Sequence, residues 1–242
     1  MPSEIKILDT PITNIRKNLL LQKLDEHFRE RNGNLFIVTA NPEIIMLTTT
    51  SDDYKEALAT ADYIVPDGIG VMIASKILGT PLQEKLPGFE LMHEFLSYAN
   101  VHDKSVYFYG AKPGVAKRAA DNAVDQYSEL IVAGFMDGYT MTGMEAANEI
   151  AAAKPDFVFV AMGAPLQELW IAKFKDLFPT SVLIGVGGSL DVLSGTIKRA
   201  PQFWTSNNLE WLYRLVTQPT RAKRMLKIPL FLLHVVNERF TR

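Results

Sequence analysis

One aspartate of the chain follows a predicted strand, where the ligand-binding residues of parallel sheets usually lie. Asp67 lies in the segment PDGIG (residues 66–70), directly after a short β-rich run at residues 63–65. Ligands of open α/β sheets bind at the carboxyl ends of the strands, and a carboxylate there can act as a general base on a hydroxyl group. An Asp-Gly pair is also common turn chemistry. The motif therefore predicts either a catalytic base or an ordinary turn.

Two further segments place polar side chains after predicted strands. TANPE (residues 39–43) carries Thr39 and Asn41, either of which can face a ligand or simply cap the helix that Pro42 opens. GAPLQE (residues 163–168) places Gln167 in the first turn of another helix. Its amide can bond a sugar or a phosphate, and the alternative is a glutamine on the protein surface.

A glycine-rich turn, GVGGSLD (residues 185–191), follows another apolar run. Glycines let backbone N–H groups approach a phosphate, and the start of a helix adds partial positive charge. The segment is not a dinucleotide-binding fingerprint, because Leu190 stands in place of the last glycine. It predicts a phosphate-binding turn or a tight strand-to-helix turn without a ligand. The candidate binding residues are Gly187, Gly188, Ser189 and Asp191.

No pattern in the chain is typical of a metal site. The sequence has no cysteine, which excludes a disulfide framework, and no Asp-x-Asp, and its four histidines are scattered without ligand spacing. We therefore predict a metal-independent site without a cofactor, in which protein cations neutralise a diphosphate. Arg214, Arg221 and Arg224 can supply that charge, since spacings of seven and three place them near one helical face.

The composition is that of a globular protein with unevenly distributed charge. The chain has 242 residues, of which 48% are hydrophobic, and a net charge of -2, which excludes a disordered chain. Residues 198–242 nevertheless contain nine basic and two acidic side chains. A basic segment on an acidic body predicts an anionic partner (a nucleotide, a phospholipid surface or a nucleic acid) or a solvated basic face.

Neither a targeting segment nor a membrane span is expected. The first residues, MPSEIKILDT, lack the basic and then apolar pattern of a signal peptide. The longest apolar run, residues 228–236, is much shorter than the ~18 residues that span a bilayer. These features predict a cytoplasmic protein.

Short β-rich runs alternate with helical patterns over residues 1–200. Strands are predicted at residues 5–8, 35–39, 63–65, 105–109, 130–134, 157–161 and 182–186. Several of these runs are continuously apolar, as in strands covered on both faces. Thr13 is predicted to cap the first helix, whose apolar face contains Leu20, Leu24 and Phe28. The alternation predicts a Rossmann-like α/β domain of three layers with a mainly parallel sheet.

The pattern changes after Pro201. Residues 201–242 contain an aromatic helix, LEWLYRLV, and a basic amphipathic stretch, TRAKRMLKIPLFLLHVV. We predict that they form a C-terminal helical appendage on a catalytic domain made by residues 1–200. The apolar face of the appendage is expected to lie on an anionic membrane; the alternative is that it packs on the body or on another subunit.

In this order, the segments resemble the TagA/WecG family of bacterial glycosyltransferases. The resemblance is carried by Thr39-x-Asn41-x-Glu43, ADYIVPDGIGV, LPGFELM, VAMGAPLQE, GVGGSLDVLSGTIKRAP and LEWLYRLVTQPTRAKR. It extends from the first strand to the basic tail. It implies a Rossmann-like fold with a C-terminal appendage, and transfer of a sugar from a UDP-sugar to a polyprenyl-diphosphate-linked acceptor at the inner face of the membrane.

The resemblance also implies roles for individual residues. Asp67 matches the catalytic aspartate of the family. The matches to its polar pocket and tail arginines are Thr39, Asn41, Gln167, Arg214, Arg221 and Arg224. Lys85, a further expected substrate-binding residue, stands where many members have arginine, so the charge is kept while the planar fork is lost. Leu166 stands where many members have lysine, which suggests that this position is not essential to the chemistry.

The resemblance predicts an inverting N-acetylmannosaminyltransferase that acts on N-acetylglucosaminyl-diphospho-polyprenol in synthesis of the wall teichoic acid linkage unit. The expected partners are a UDP-sugar donor, a lipid-diphosphate acceptor and the anionic inner face of the cell membrane, where the protein would be peripheral. No nucleic acid is expected, and a homo-oligomer is left open. One alternative is a family member that uses glucose or N-acetylmannosaminuronic acid, for exopolysaccharide or common antigen. The other is a UDP-binding, membrane-docked protein without turnover.

Overall fold

The centre of the fold is a six-stranded parallel sheet. The computed structural model describes residues 2–217 and 227–241. The strands of the sheet are β3 (Leu35–Ala40), β4 (Tyr63–Pro66), β5 (Ser105–Gly110), β6 (Ile131–Met136), β7 (Phe157–Ala161) and β8 (Val182–Gly185). Their order is β4-β3-β8-β7-β5-β6, with every neighbouring pair parallel. The predicted strands of residues 35–186 are confirmed, with shifts at their ends.

Helices cover both faces of this sheet and give it three layers. One face packs against α2 (Pro42–Thr48), α3 (Asp52–Ala59), α4 (Ile69–Ile77), α7 (Gly143–Ala152) and α8 (Leu166–Phe174). The other face packs against α1 (Lys17–Glu30), α5 (Gly88–Val101), α6 (Val115–Gln126) and α9 (Ser189–Leu193). Because both faces are covered, the central strands are apolar along their whole length, and every residue of β7 and β8 is buried. The prediction of a Rossmann-like α/β fold is confirmed.

The first strand belongs to a separate hairpin. β1 (Ser3–Ile7) pairs with β2 (Thr10–Asn14) in an antiparallel two-stranded sheet. Leu8 and Asp9, between the strands, have φ of 48° and 63°, as a tight hairpin turn requires.

The predicted helix cap at Thr13 is wrong. Thr13 lies in β2, and its hydroxyl oxygen accepts a hydrogen bond from the Ile64 N–H at 3.1 Å. Helix α1 starts later, at Lys17, where Arg16 is the N-cap and makes no side-chain capping bond. Thr13 therefore joins the hairpin to the main sheet instead of starting a helix. The apolar face predicted for this helix is confirmed, since Leu20, Leu24 and Phe28 are buried.

The C-terminal residues form helices that contact the body. α10 (Gln202–Ser206) and α11 (Glu210–Thr217) follow Pro201, and α12 (Lys227–Thr241) packs against α2 and α4. Phe231 and Val235 of α12 are fully buried in the core on one face of the sheet. The Glu238 carboxylate accepts a hydrogen bond from the Leu8 N–H at 3.1 Å. The appendage predicted for residues 201–242 thus shares the core of residues 1–200 through α12.

The described helices are too short or too polar to cross a bilayer. Within residues 2–217 and 227–241, no helix combines sufficient length with sufficient hydropathy to be a membrane span.

Candidate active site

A cavity of about 450 Å³ opens at the carboxyl ends of the central strands. Its lining comes from the segments that follow β3, β4, β7 and β8, and from the C-terminal helices. The predicted site residues that line it are Thr39, Asn41, Asp67, Lys85, Gln167, Gly187, Gly188 and Ser189. The strand order makes this possible, because β8 lies between β3 and β7 and brings four sequence-distant turns to one edge.

A backbone hydrogen bond fixes Asp67 at the carboxyl end of β4. Its N–H donates to the Ala40 carbonyl at 2.8 Å, which continues the pairing of β4 with β3. Gly68 follows with φ of 85° and starts α4, so the chain turns away and leaves the carboxyl group half-buried on the cavity wall. One carboxyl oxygen lies 3.5 Å from the Gly88 N–H at the start of α5. This placement suits a base that faces a ligand.

Thr39 and Asn41 line the cavity beside Asp67 and also have structural roles. The Asn41 side-chain oxygen accepts a hydrogen bond from the Ile44 N–H at 3.1 Å, so the helix-capping interpretation of Asn41 is confirmed. The Thr39 hydroxyl lies 3.4 Å from the Gly185 carbonyl, to which it donates. Gly88 approaches the same hydroxyl so closely that a Cβ there would lie 2.9 Å from it.

Gln167 is buried, so its interpretation as a surface glutamine is wrong. Its side chain is 3% exposed. The amide oxygen accepts hydrogen bonds from the Gly163 N–H at 3.1 Å and the Gly187 N–H at 3.0 Å. It thereby joins the turn after β7 to the turn after β8. Gly187, a predicted phosphate-binding residue, donates its N–H to this glutamine.

Sequence reasoning missed Glu168, the next residue. It is completely buried, and its carboxyl oxygen Oε1 accepts a hydrogen bond from the Gln167 amide nitrogen at 2.7 Å. Burial raises the pKa of the Glu168 carboxyl, which favours its protonated form. The other oxygen, Oε2, and the buried Tyr54 hydroxyl are near each other, although neither has a hydrogen-bond partner of ordinary length among the described residues.

Lys85 connects the cavity to the C-terminal helices. Its ammonium group donates a hydrogen bond to the Asn208 side-chain oxygen, in the loop between α10 and α11. Thr205, Glu210 and Trp211 of the same region also line the cavity. Lys85 therefore places a cation on the cavity wall, bonded to the C-terminal segment.

One wall of the cavity is apolar, which the sequence did not predict. It is formed by side chains of α4, α11 and α12, namely Ile69, Ile73, Trp211, Ile228 and Leu232. Ile73 and Trp211 are each 38% exposed, so this wall presents apolar surface to the cavity. Gly70 permits the close packing behind this wall, since a Cβ there would lie 2.7 Å from Pro42 Cγ.

Four predicted site residues are not brought to the cavity by the described part of the chain. Asp191 lies on α9 and is outside the cavity lining. Arg214 is on α11, and the position of its side chain is not described. Arg221 and Arg224 lie outside the described residues. Their expected roles stay predictions.

Acidic and histidine side chains do not gather into a metal site in the described ranges. No group of three or more His, Asp or Glu residues lies close enough together there to hold an ion. The metal-independence of the site stays a prediction.

The fold and the cavity define the class of this protein. It is a Rossmann-like α/β protein with a carboxylate-bearing cavity at the carboxyl ends of parallel strands, polar on one side and apolar on the other. The chain belongs to the glycosyl transferase WecG/TagA/CpsF family, whose family model matches residues 5–242.

Similar proteins of one name cover nearly the whole chain. An N-acetylglucosaminyldiphosphoundecaprenol N-acetyl-beta-D-mannosaminyltransferase from Bacillus spizizenii is 42% identical over 234 residues, which are 97% of this chain and 89% of the relative. Proteins of the same name from Bacillus subtilis and Staphylococcus aureus are 40% and 37% identical, over 96% and 95% of this chain and 91% of each relative. The predicted family membership and glycosyltransferase class are confirmed.

Proposed function

We propose that this glycosyltransferase moves N-acetylmannosamine from a UDP-sugar to N-acetylglucosaminyl-diphospho-polyprenol, in synthesis of the wall teichoic acid linkage unit. The names of the three relatives support this acceptor and this sugar. The observation that carries the proposal is the position of Asp67 in a cavity with one polar side and one apolar wall. A lipid-linked sugar has the same two-part character.

The proposed reaction is a single displacement. The acceptor hydroxyl oxygen attacks the anomeric carbon of the donor sugar, and Asp67 takes the hydroxyl proton. The bond between that carbon and the UDP oxygen breaks, and UDP leaves with the electron pair. Attack from the face opposite to UDP inverts the anomeric configuration. Asp67 is suited to this role because its carboxyl group faces the cavity at the end of β4.

Protein cations are proposed to balance the charge of the departing UDP. Among the described residues, Lys85 is the positively charged side chain that lines the cavity. In the turn at residues 187–189, the Gly187 N–H donates to Gln167 and the Ser189 N–H donates to the Val186 carbonyl at 3.0 Å. The Gly188 N–H is therefore the backbone donor proposed to contact the departing UDP. Arg214, Arg221 and Arg224 are proposed to add charge from the tail, as preorganised positive groups stabilise a developing anion.

A donor screen tests the proposed function. Several UDP-sugars, among them UDP-N-acetylmannosamine, UDP-glucose and the uronic acid form, are mixed with one short-chain N-acetylglucosaminyl-diphospho-lipid, and UDP release is measured. We expect N-acetylmannosamine to be transferred fastest. Preference for another sugar would support the exopolysaccharide or common-antigen alternative. UDP binding without release from any donor would support the non-catalytic alternative.

We expect full activity in excess EDTA. The reason is that the chain has no Asp-x-Asp and the described residues include no cluster of metal-ligating side chains. The measurement compares UDP release in EDTA with UDP release in Mg²⁺ and in Mn²⁺. Activity that disappears in EDTA and returns with either ion would overturn the prediction and indicate ligands supplied by other residues or by the substrate.

The exposed apolar side of α12 is proposed to seat the protein on an anionic membrane. Leu233 and Phe240 are 65% and 84% exposed on a helix whose other side packs on the body. Apolar side chains that project from a helix with basic neighbours are typical of interfacial binding. The basic residues between positions 221 and 227 would add roughly 1 kcal/mol each near anionic lipid.

We expect the double variant Leu233→Ser, Phe240→Ser to float with anionic vesicles at least about tenfold less than the wild type, because two apolar anchors are lost. Its thermal stability should hardly change, since both side chains are exposed. Val101→Ser is the matched control, because Val101 is also exposed and apolar but lies at the end of α5. Undiminished flotation of the double variant would contradict the membrane proposal.

A further inference from the structure

We infer that Glu168 is a positioning residue for donor binding: it fixes the orientation of the Gln167 amide, which in turn holds together the two glycine turns beneath the cavity. Both turns follow central strands, one after β7 and one after β8. The inference rests on the proposed function for its kinetic readout, although its structural readout is independent of any substrate.

The Gln167 amide can serve both turns in one orientation only. Its oxygen receives two backbone N–H groups, from Gly163 and Gly187. In the reversed orientation the NH₂ group would face these two donors, so both hydrogen bonds would be lost and like partial charges would meet. Both N–H groups would then lose their partner in the Gln167 side chain, and the two turns would no longer be joined.

Glu168 selects the correct orientation from the other side of the amide. Its Oε1 accepts from the Gln167 nitrogen at 2.7 Å, and the reversed amide would place its oxygen against Oε1 and lose this hydrogen bond. Glu168 is completely buried, so solvent does not compete for the amide. Gly185 leaves the space that the amide occupies, because a Cβ there would lie 2.5 Å from the Gln167 nitrogen.

The clamped turns form part of the cavity itself. Gly163, Gly187 and Gly188 line it, and the first two have φ of 75° and 50°, a region that favours glycine. Gly187 cannot offer its N–H to a ligand while it donates to Gln167. The contribution of Gln167 is therefore to set the position of the cavity floor, and Glu168 acts through Gln167.

The test compares three variants for the KM of the UDP-sugar and for UDP affinity. Glu168→Leu removes the acceptor at nearly constant volume, and we expect donor KM to rise about tenfold, as for the loss of one buried hydrogen bond. Glu168→Gln keeps an acceptor oxygen and should stay within about threefold of the wild type. Ser181→Ala is the matched control, since it removes a buried hydrogen bond to the Pro155 carbonyl at the opposite end of the sheet. It should lower the melting temperature without raising donor KM.

A double-mutant cycle shows whether Glu168 acts through Gln167. We expect Glu168→Leu to add little to the effect of Gln167→Leu, because residues that act as one unit are not additive. Independent, additive effects would overturn the inference. So would an unchanged donor KM in folded Glu168→Leu, or an equal rise in Ser181→Ala. If Glu168→Leu does not fold, Glu168→Asp replaces it, since this variant keeps the carboxyl group and withdraws it by one methylene.

Hydrogen exchange separates failure of the inference from failure of the proposed function. The amides of Gly163 and Gly187 are hydrogen-bonded to Gln167, so they should exchange slowly in the wild type and faster in Glu168→Leu. This result needs no donor or acceptor. Equal exchange in both proteins would overturn the positioning role even if turnover of the UDP-sugar is demonstrated, and faster exchange without any turnover would leave only the proposed function refuted.

Discussion

Asp67→Asn should lower the turnover number by about 10²–10⁴, the usual contribution of a general base. Asparagine is nearly isosteric with aspartate, so the backbone bond from residue 67 to the Ala40 carbonyl and the course of β4 into α4 should be kept. An amide cannot take a proton from the acceptor hydroxyl. UDP affinity should change little, because the loss concerns the acceptor side of the reaction. Single-turnover measurements of sugar transfer, with UDP binding in parallel, give the comparison.

The matched control lies at the other end of the same strand. Asp62 directly precedes β4, and its carboxylate accepts a hydrogen bond from the Phe36 N–H at 2.8 Å. Asp62→Asn makes the same chemical change away from the cavity and should keep the wild-type turnover number. If Asp67→Asn retains a third or more of wild-type transfer, Asp67 is not the base.

Phe231→Ala should destabilise the protein by about 3–5 kcal/mol, the usual cost of truncating a buried phenylalanine. Phe231 is fully buried where α12 packs on the body, so its loss leaves a cavity in the core shared with α2 and α4. Ile228 and Leu232 on the same helix line the candidate active site. Loosening of α12 should therefore reduce transfer activity at temperatures where most of the protein is still folded. Denaturant unfolding and a turnover assay at two temperatures measure both effects.

Phe240→Ala provides the same substitution on the same helix at an exposed position. Its free energy of unfolding should lie within about 0.5 kcal/mol of the wild type, as for most surface changes. Equal destabilisation by both variants would mean that α12 does not dock through Phe231.

The structure bears on both interpretations of the C-terminal stretch, as a membrane-binding helix and as a helix packed on the protein. The sequence predicted an apolar face bound to a membrane, with packing on the body or on another subunit as the alternative. In the structure, Phe231 and Val235 are buried four residues apart, while Leu233 and Phe240 project away. Helix α12 thus has one face buried in the core and an opposite face that is exposed and apolar. Packing on the body is observed, and the membrane role stays a proposal.

Local sequence patterns were sufficient to predict the strands of the main sheet and several residues that line the site. Continuously apolar runs identify strands that are buried on both faces, and Pro42 marks the start of α2 because proline suits the first turn of a helix. Asp67 could be singled out because ligands of parallel sheets lie at strand carboxyl ends. Such signals depend on neighbours a few residues apart, so they can be read directly from the chain.

The tertiary structure alone decided which of these residues meet. β8 lies between β3 and β7, so Gln167 on α8 reaches Gly187, twenty residues later in the chain, and becomes buried between two turns. Helix α12 docks against α4 and completes an apolar wall with Ile73 and Ile228. Thr13, which was predicted to cap a helix, lies in β2 because β2 pairs with β1, and its hydroxyl accepts a hydrogen bond from Ile64 of β4. Contacts of this kind depend on strand order and helix docking, which are set by the packing of the whole core and not by any local pattern.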